Sequence, residues 1–292
     1  MAIPKSAKFK YEIIQDYKVP NGKAGRFAAG KPTWVVVHSS GNPNASIDSE
    51  IAYMAKNQNN AFTQAWAGHD KIVEIANTDY PAWGAGRTAN RYAVQIEVTE
   101  DKRLSKAQKL QAIDREAFRV AVQCAYYGIP LNKVYSHADI SRMYPQDTDH
   151  TDPIAFFKSV GVSWSDFKAQ VKKYHDVLKA GGDTTKIASL DGQKATVTPS
   201  KPTANTNTGI VKKYAENGVF YPNETIIVRD APTTKASIVT RYFKGENLTY
   251  HTVHLGNGYV WLEYLRNNGK SGFIPIREYK NGKFGKLWGT IK

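Results

Sequence analysis

Apolar and polar positions along this chain follow two different periods. Thr33–His38 (TWVVVH) is a short β-branched run that predicts a buried strand, and Lys71–Ile75 (KIVEI) predicts another. In YAVQIEVTE, Val94, Ile96 and Val98 alternate with Gln95, Glu97 and Thr99, the pattern of a strand with one face on a core. The period then lengthens. Leu110, Ile113, Ala117, Val120, Ala121 and Cys124 fall on one helical stripe, with Ser105 placed to cap its start and Gly128 and Pro130 to stop it. A last helix is predicted from Ser163, with Asp166 at the capping-box position, through Phe167, Val171, Tyr174 and Leu178 to a stop at Gly181. Strands interleaved with helices imply an α/β domain, a mixed central sheet flanked by helices.

From Gly181 to Gly209 the pattern disappears. GGDTTKIASLDGQKATVTPSKPTANTNTG has no aromatic residue and is rich in Thr, Ala, Gly, Pro and Lys, so it reads as a linker. Beyond it come short β-branched and aromatic runs (TIIVR, SIVTRYF, LTYHTVH, YVWLEYL, GFIPI), most of them separated by Gly- and Asn-containing turns, which predict a small all-β barrel or sandwich. The expected organisation is a domain over 1–180, a linker over 181–209 and a second domain over 210–292.

Charge narrows the partners. The chain carries 40 basic and 26 acidic residues, a net charge of +14 that suits a polyanion such as nucleic acid, anionic lipid or an anionic wall polymer. Residues 210–292 hold 13 Lys and Arg against 6 Asp and Glu, so 13 − 6 = +7, half of the excess in the shorter part. No nucleic-acid-binding motif accompanies this charge, and nucleic acid is not expected as a partner. Cys124 is the only cysteine; it lies on the helical stripe as a core residue, which excludes an intrachain disulfide and Cys-rich zinc sites. The first residues lack the apolar core of a signal peptide, and no apolar run is long enough to span a membrane. The expectation is a protein made in a cytoplasm without membrane insertion, which something else must release if it acts outside.

One stretch stands out chemically. YSHADISRMYPQDTDHTDP packs two of the seven histidines and four aspartates into a region read as a loop. His38 ends the TWVVV strand, where α/β sheets place ligands and chemistry. His38, His137 and one of His150 or Asp152 would supply the three protein ligands of a catalytic zinc site with an open fourth position. Residue spacing leaves the third ligand open between His150 and Asp152. The remaining histidines, at 69, 175, 251 and 254, are expected to be structural or solvated.

WVVVHSSGN, AWGAG, AVQIEVTE and SHADI followed by DHTDP occur in an order that resembles the zinc-dependent N-acetylmuramoyl-L-alanine amidases, the amidase-2 family related to peptidoglycan recognition proteins, over about residues 10–175. The resemblance implies His38, His137 and Asp152 as zinc ligands, Glu97 as the proton-transfer carboxylate and His150 as the group facing the oxyanion. A family motif often written AWHAG reads Ala82-Trp83-Gly84-Ala85-Gly86 here, without its wall-contacting His; Trp83 is a candidate substrate contact. The loop from His137 to Asp152 is also longer than in compact members of the family.

ENGVFYPNETIIVRDAP, YFKGENLTYHTV, YVWLEYL and GFIPIRE, ending in Trp288-Gly289, resemble bacterial SH3-type cell-wall-binding domains. That likeness implies an SH3-like barrel whose aromatics hold peptidoglycan, with Tyr221, Tyr250, Trp261 and Tyr264 as candidates; half or more of them are expected in the core instead, because so small a barrel needs large side chains to fill it. Peptidoglycan, with anionic wall polymers as a second class, is the implied partner. The whole resembles a phage endolysin for Gram-positive walls, released by a holin. The rival readings are a non-catalytic peptidoglycan receptor, a basic nucleic-acid-binding protein and a wall hydrolase of another bond specificity, such as an endopeptidase.

Overall fold

The structure, a computed structural model, describes residues 3–4, 6–192, 209–266 and 270–292, which form two compact units. The first holds strands β1 (Ile13–Gln15), β2 (Trp34–Ser39), β3 (Ala65–Ala67), β4 (Ile72–Glu74), β5 (Ala93–Val98) and β6 (Val134–Ser136) in one sheet, ordered β1-β4-β3-β5-β2-β6. β2 runs parallel to β5 and β6, and β3 runs parallel to β5 but antiparallel to β4, so the sheet is mixed. Its helices are α1 (Ile47–Lys56), α2 (Arg87–Asn90), α3 (Lys106–Tyr127), α4 (His137–Met143), α5 (Ile154–Ser159) and α6 (Trp164–Lys179).

Side-chain alternation divides the sheet into two chemistries. Val35, Val37, Val94, Ile96 and Val98 join one core with Ile113, Ala117, Val120, Ala121 and Cys124 of α3 and Phe167, Val171, Tyr174 and Leu178 of α6. Val36 packs on the other face with Ala85, Ala89, Ala93 and Ile140. His38 shares the face of Val36, and Glu97 that of Ala93 and Gln95, away from α3.

Both predicted long helices begin at their predicted caps. Ser105 and Gln108 form a capping box on α3, which ends at Gly128 in the left-handed conformation with φ 71°. Ser163 and Asp166 do the same for α6. Cys124 is fully buried, and burial pushes its thiol up to about 12, as suits a core residue. Among the described residues no helix is long and apolar enough to cross a membrane.

The expected linker start at Gly181 is too early. Asp183 caps a short 3₁₀ turn at Thr184–Lys186, Thr184 is fully buried, and Ile187 and Leu190 pack on the core of the first unit. Asp114, buried on α3, organises this segment. Its carboxylate accepts hydrogen bonds from Tyr11 Oη (2.6 Å), Tyr174 Oη (2.7 Å), Gln170 Nε2 (2.7 Å) and the Leu190 amide (3.2 Å). Lys10 Nζ lies 3.5 Å from the same carboxylate and donates to the Ile187 carbonyl at 2.8 Å. Composition reads Gly181–Asp191 as unstructured because the anchoring carboxylate is far away in sequence. Residues 193–208 of the expected linker lie outside the described residues.

The second unit is all β: β7 (Ile210–Pro222), β8 (Ile226–Arg229), β9 (Ile238–Tyr242), β10 (Leu248–Gly256), β11 (Tyr259–Leu265), β12 (Ser271–Lys280), β13 (Lys283–Phe284) and β14 (Gly289–Ile291). Its sheet runs β14-β7-β10-β11-β12-β8-β9, with β13 paired to β12, and curls around Phe220, Val228, Leu248, Leu262 and Ile274.

Three of the four candidate groove aromatics belong to the interior. Tyr250, Trp261 and Tyr264 are 1%, 0% and 6% exposed. Tyr250 and Tyr264 lie against strand glycines: a Cβ at Gly218 would sit 2.7 Å from Tyr250 Oη, and one at Gly272 would sit 2.7 Å from Tyr264 Cε1. Trp261 donates its indole N–H to the Gly256 carbonyl at 3.1 Å. Tyr250 and Tyr264 therefore fill the barrel rather than line a groove, while Trp261 is buried outside that core cluster. Tyr221 alone of the four is half-buried, with Lys292 Nζ 5.2 Å from its ring centre.

Glu246 gives this unit a pH dependence. It is buried, its Oε1 has no hydrogen-bond partner, and its Oε2 accepts only the Phe243 amide at 3.0 Å. Burial outweighs that hydrogen bond and raises the carboxyl from 4.5 to about 7. Between these values the folded state holds a proton that the unfolded state has lost, so stability falls as pH rises through the window. Calorimetry of the full chain should show the second unit melting at a lower temperature at pH 8 than at pH 5, and Glu246→Gln should flatten that slope. An unchanged melting temperature in the unaltered protein would contradict the assignment.

Candidate metal centre

The site forms where parallel strands end, the usual location for chemistry in sheets of this kind. His38, next to last in β2, is the register partner of Glu97 in β5. His137 follows β6 directly as the first residue of α4, and Ser136 pairs with Val37. Its stretch is thus not wholly a loop. Ser136 and Asp139 form a capping box that starts a helix, a signature present in S-H-A-D that the reading as a loop overlooks. The chain then returns so that the Ala138 amide donates to the Asp152 carbonyl at 3.1 Å, and the Ser39 amide donates to Asp152 Oδ2 at 3.2 Å.

These anchors aim Asp152 at both imidazoles. His38 Nδ1 is 3.3 Å from Oδ2, and His137 Nδ1 is 3.2 Å from Oδ1. Ligand atoms around a tetrahedral zinc, with bonds of 2.0–2.1 Å, stand about 3.3 Å apart. One atom from each of His38, His137 and Asp152 lies within 4.8 Å of the other two, so the trio could hold a metal ion. Both histidines are 2% exposed, and the buried His137 Nδ1 makes no hydrogen bond. A cation would satisfy that orphaned atom, and the donor set fits. Burial lowers the pKa of His137 more than Asp152 raises it, which favours the neutral imidazole that a ligand must be. Burial would raise the Asp152 carboxyl, but hydrogen bonds and charge from His137 and His38 prevail and hold it well below its usual value.

Glu97 stands beside this trio. It is half-buried, and its Oε2 is enclosed without a hydrogen-bond partner. Burial, then the charges of Asp152, Glu50 and Glu100, raise its pKa well above that of a free carboxylate. The His150 side chain is 65% exposed, with Nδ1 3.5 Å from Asp152 Oδ1 and its ring stacked on His137 at 4.6 Å. Spacing alone leaves the third ligand open between His150 and Asp152; the geometry groups Asp152 with the two buried histidines and puts His150 at the solvent edge.

Two further families of evidence meet this geometry. The N-acetylmuramoyl-L-alanine amidase family matches residues 28–155, and the bacterial SH3 domain family matches residues 212–276. The chain joins an amidase-family domain to a bacterial SH3 domain. The bifunctional autolysin of Staphylococcus aureus (strain MSSA476) is 30% identical over 284 residues, covering 90% of this chain and 21% of that protein. Protein Ami of Listeria monocytogenes is 29% identical over 182 residues, covering 60% of this chain and 19% of that protein. The chain thus spans about a fifth of the length of these curated relatives. The crystal structure of Staphylococcus aureus hydrolase AmiA in complex with its ligand aligns with a TM-score of 0.53 at 28% identity, over 59% of this chain and 86% of that one.

The amidase domain also explains its departure from the related motif at Gly84. A Cβ there would lie 2.8 Å from Gln95 Oε1 and 3.3 Å from Thr63 Cγ2, so a histidine has no room. Gln95 occupies the space, donating to the Ala82 carbonyl at 3.1 Å and to Asn90 Oδ1 at 3.0 Å. Trp83 is half-buried and spends its indole N–H on the Gln58 carbonyl at 3.0 Å, which leaves only a ring face for any outside contact. The sequence reading missed Glu50 and Glu100. Glu50 is buried with Oε1 unpaired, and Glu100 Oε1 accepts the Ser39 hydroxyl at 2.5 Å and the Gly41 amide at 3.2 Å. Single glutamates on a helix face or after a strand carry no signal that distinguishes them from solvated ones.

The trio predicts one divalent ion per chain. Elemental analysis of protein purified without chelator should find it, and His38→Ala or Asp152→Ala should remove it while the fold persists in circular dichroism. Full metal content in both variants would place the ion elsewhere.

Proposed function

We propose that this chain hydrolyses the amide between N-acetylmuramic acid and the L-alanine of the peptidoglycan stem peptide, with zinc held by His38, His137 and Asp152. The observation that carries the reading is the convergence of those three ligands beside a half-buried, unpaired Glu97, inside the segment that the amidase family matches. Two buried imidazoles and one partly buried carboxylate suit zinc with an open coordination position. Zinc bound there would polarise the scissile carbonyl and lower the pKa of water towards about 7.

The protein's own groups divide the remaining work. Glu97 takes the proton of the attacking water and returns it to the nitrogen of the leaving amine. Its raised pKa supports this role, because a carboxylate that binds a proton more firmly than a free one is the better base for the first of these transfers. His150, exposed beside the ligands, offers an imidazole N–H to the oxyanion. Ser39 keeps Asp152 in place through its amide.

The SH3 domain holds the enzyme on its insoluble substrate. Its net +7, from 13 basic and 6 acidic residues, supports binding to peptidoglycan and to anionic wall polymers, with Tyr221 the remaining candidate of the predicted aromatics. The segment that joins the two domains then tethers catalysis to anchoring, which raises the local concentration of enzyme at the wall. The outcome is lysis of Gram-positive walls, as an endolysin or as an autolysin. One of the named relatives is a bifunctional autolysin.

Mass spectrometry of digested peptidoglycan tests the bond. Free stem peptides with an unblocked L-alanine amine are expected; cuts within the peptide would make the enzyme an endopeptidase, and no cuts would make the protein a receptor. Glu97→Gln should lower turnover by about 10²–10⁴-fold while metal content is retained. Near-normal turnover would move proton transfer to another group.

A further inference from the structure

The reading of the metal site leaves one close contact without a role. Thr148 lies in the segment between α4 and Asp152, in neither the predicted ligand set nor the predicted catalytic pair. Its Oγ1 is 2.9 Å from His137 Nε2, the ring nitrogen opposite the one that faces Asp152. The same oxygen accepts the His150 amide at 3.4 Å. We propose that Thr148 is the positioning residue of His137: its hydroxyl accepts the Nε2 proton and so presents the Nδ1 lone pair to the metal.

The chemistry follows from the two ring nitrogens. A neutral imidazole carries one proton, and only the bare nitrogen can ligate. His137 Nδ1 is the atom turned into the trio, so the proton must reside on Nε2 when metal is held. A buried N–H without an acceptor is unfavourable, and a hydroxyl at 2.9 Å removes that penalty. A hydroxyl also suits the metal-free protein. It can donate to a bare Nε2 while Nδ1–H faces the Asp152 carboxylate, a role that a carboxylate in place of Thr148 could not fill.

Thr148 is itself held. The preceding Asp147 accepts the Thr88 amide at 2.7 Å, and its own amide donates to the Tyr144 carbonyl at 2.9 Å. Gly86, with φ 83°, lies directly beneath: a Cβ there would be 3.0 Å from Asp147 Cβ and 3.2 Å from Thr148 Cγ2. The longer loop between His137 and Asp152 therefore rests on the second glycine of AWGAG, and that support fixes the hydroxyl.

Methyl and hydroxyl can be separated by substitution. Thr148→Val keeps the packing on Gly86 and removes the hydrogen bond; Thr148→Ser does the reverse. Zinc affinity of the full-length chain would be measured by competition with a chromophoric chelator, with thermal melting of the metal-free proteins alongside. Thr148→Val is expected to weaken zinc binding by about 10–100-fold, and Thr148→Ser to stay close to the unaltered protein. This inference rests on the metal site proposed above, and the measurement separates the two. If the unaltered chain binds no zinc, both readings fall. If it binds zinc and Thr148→Val binds equally well, only the role of Thr148 is overturned. Equal weakening in Thr148→Ser and Thr148→Val, with lowered melting temperatures in both, would make Thr148 a packing residue and would likewise overturn the proposal.

Discussion

The two-residue period of β2 and β5 is the constraint on which the amidase domain depends. Val35 and Val37 must face α3 for the core to close, and that requirement alone sends Val36 and His38 to the other side. Val94, Ile96 and Val98 impose the same choice on Glu97. Because β2 and β5 are parallel neighbours with His38 opposite Glu97, one register brings the proposed ligand and the proposed proton carrier side by side. A slip of one residue in either strand would bury the imidazole or the carboxylate in hydrocarbon. Core packing and chemistry are thus specified by the same alternation.

The charges gathered there are unbalanced in a revealing way. Asp152, Glu50 and Glu100 all push the Glu97 carboxyl up, while the groups that hold Asp152 ionised are the imidazoles of His137 and His38, of which His137 favours its neutral form. Glu116, fully buried on α3 with neither oxygen hydrogen-bonded, has its pKa raised by burial and then by Glu97 and Asp152. Concentrating carboxylates out of water is unfavourable unless they are protonated or share a cation. A divalent ion against Asp152 would offset that repulsion more effectively than any single side chain.

Much of this was legible in the chain. The apolar runs located β2 and β5, the caps located α3 and α6, and the motif order located His38, Glu97, His137 and Asp152. What stayed hidden depends on contacts between distant residues. Asp114 looks like an ordinary helical aspartate until Tyr11, Tyr174, Gln170 and Leu190 converge on it, and for that reason the segment after α6 reads as linker. Tyr250, Trp261 and Tyr264 have the composition of a binding groove; their burial follows from strand register and from the glycines at 218 and 272, which a list of aromatic positions does not contain. Thr148 differs from any other loop threonine only by where the loop is pinned.

The Asp114 knot also determines how this domain can be used in larger proteins. Lys8 pairs with Asp183 in a parallel bridge, and the Lys8 amide donates to the Gly182 carbonyl at 2.9 Å, so the incoming and outgoing chain run side by side. A folded unit whose ends meet in this way behaves like a bead with both threads at one hole. It can be spliced between other segments without opening its sheet or its core. Relatives several times longer than this chain are what such a part permits, since neighbours can be added or exchanged while the chemistry stays intact.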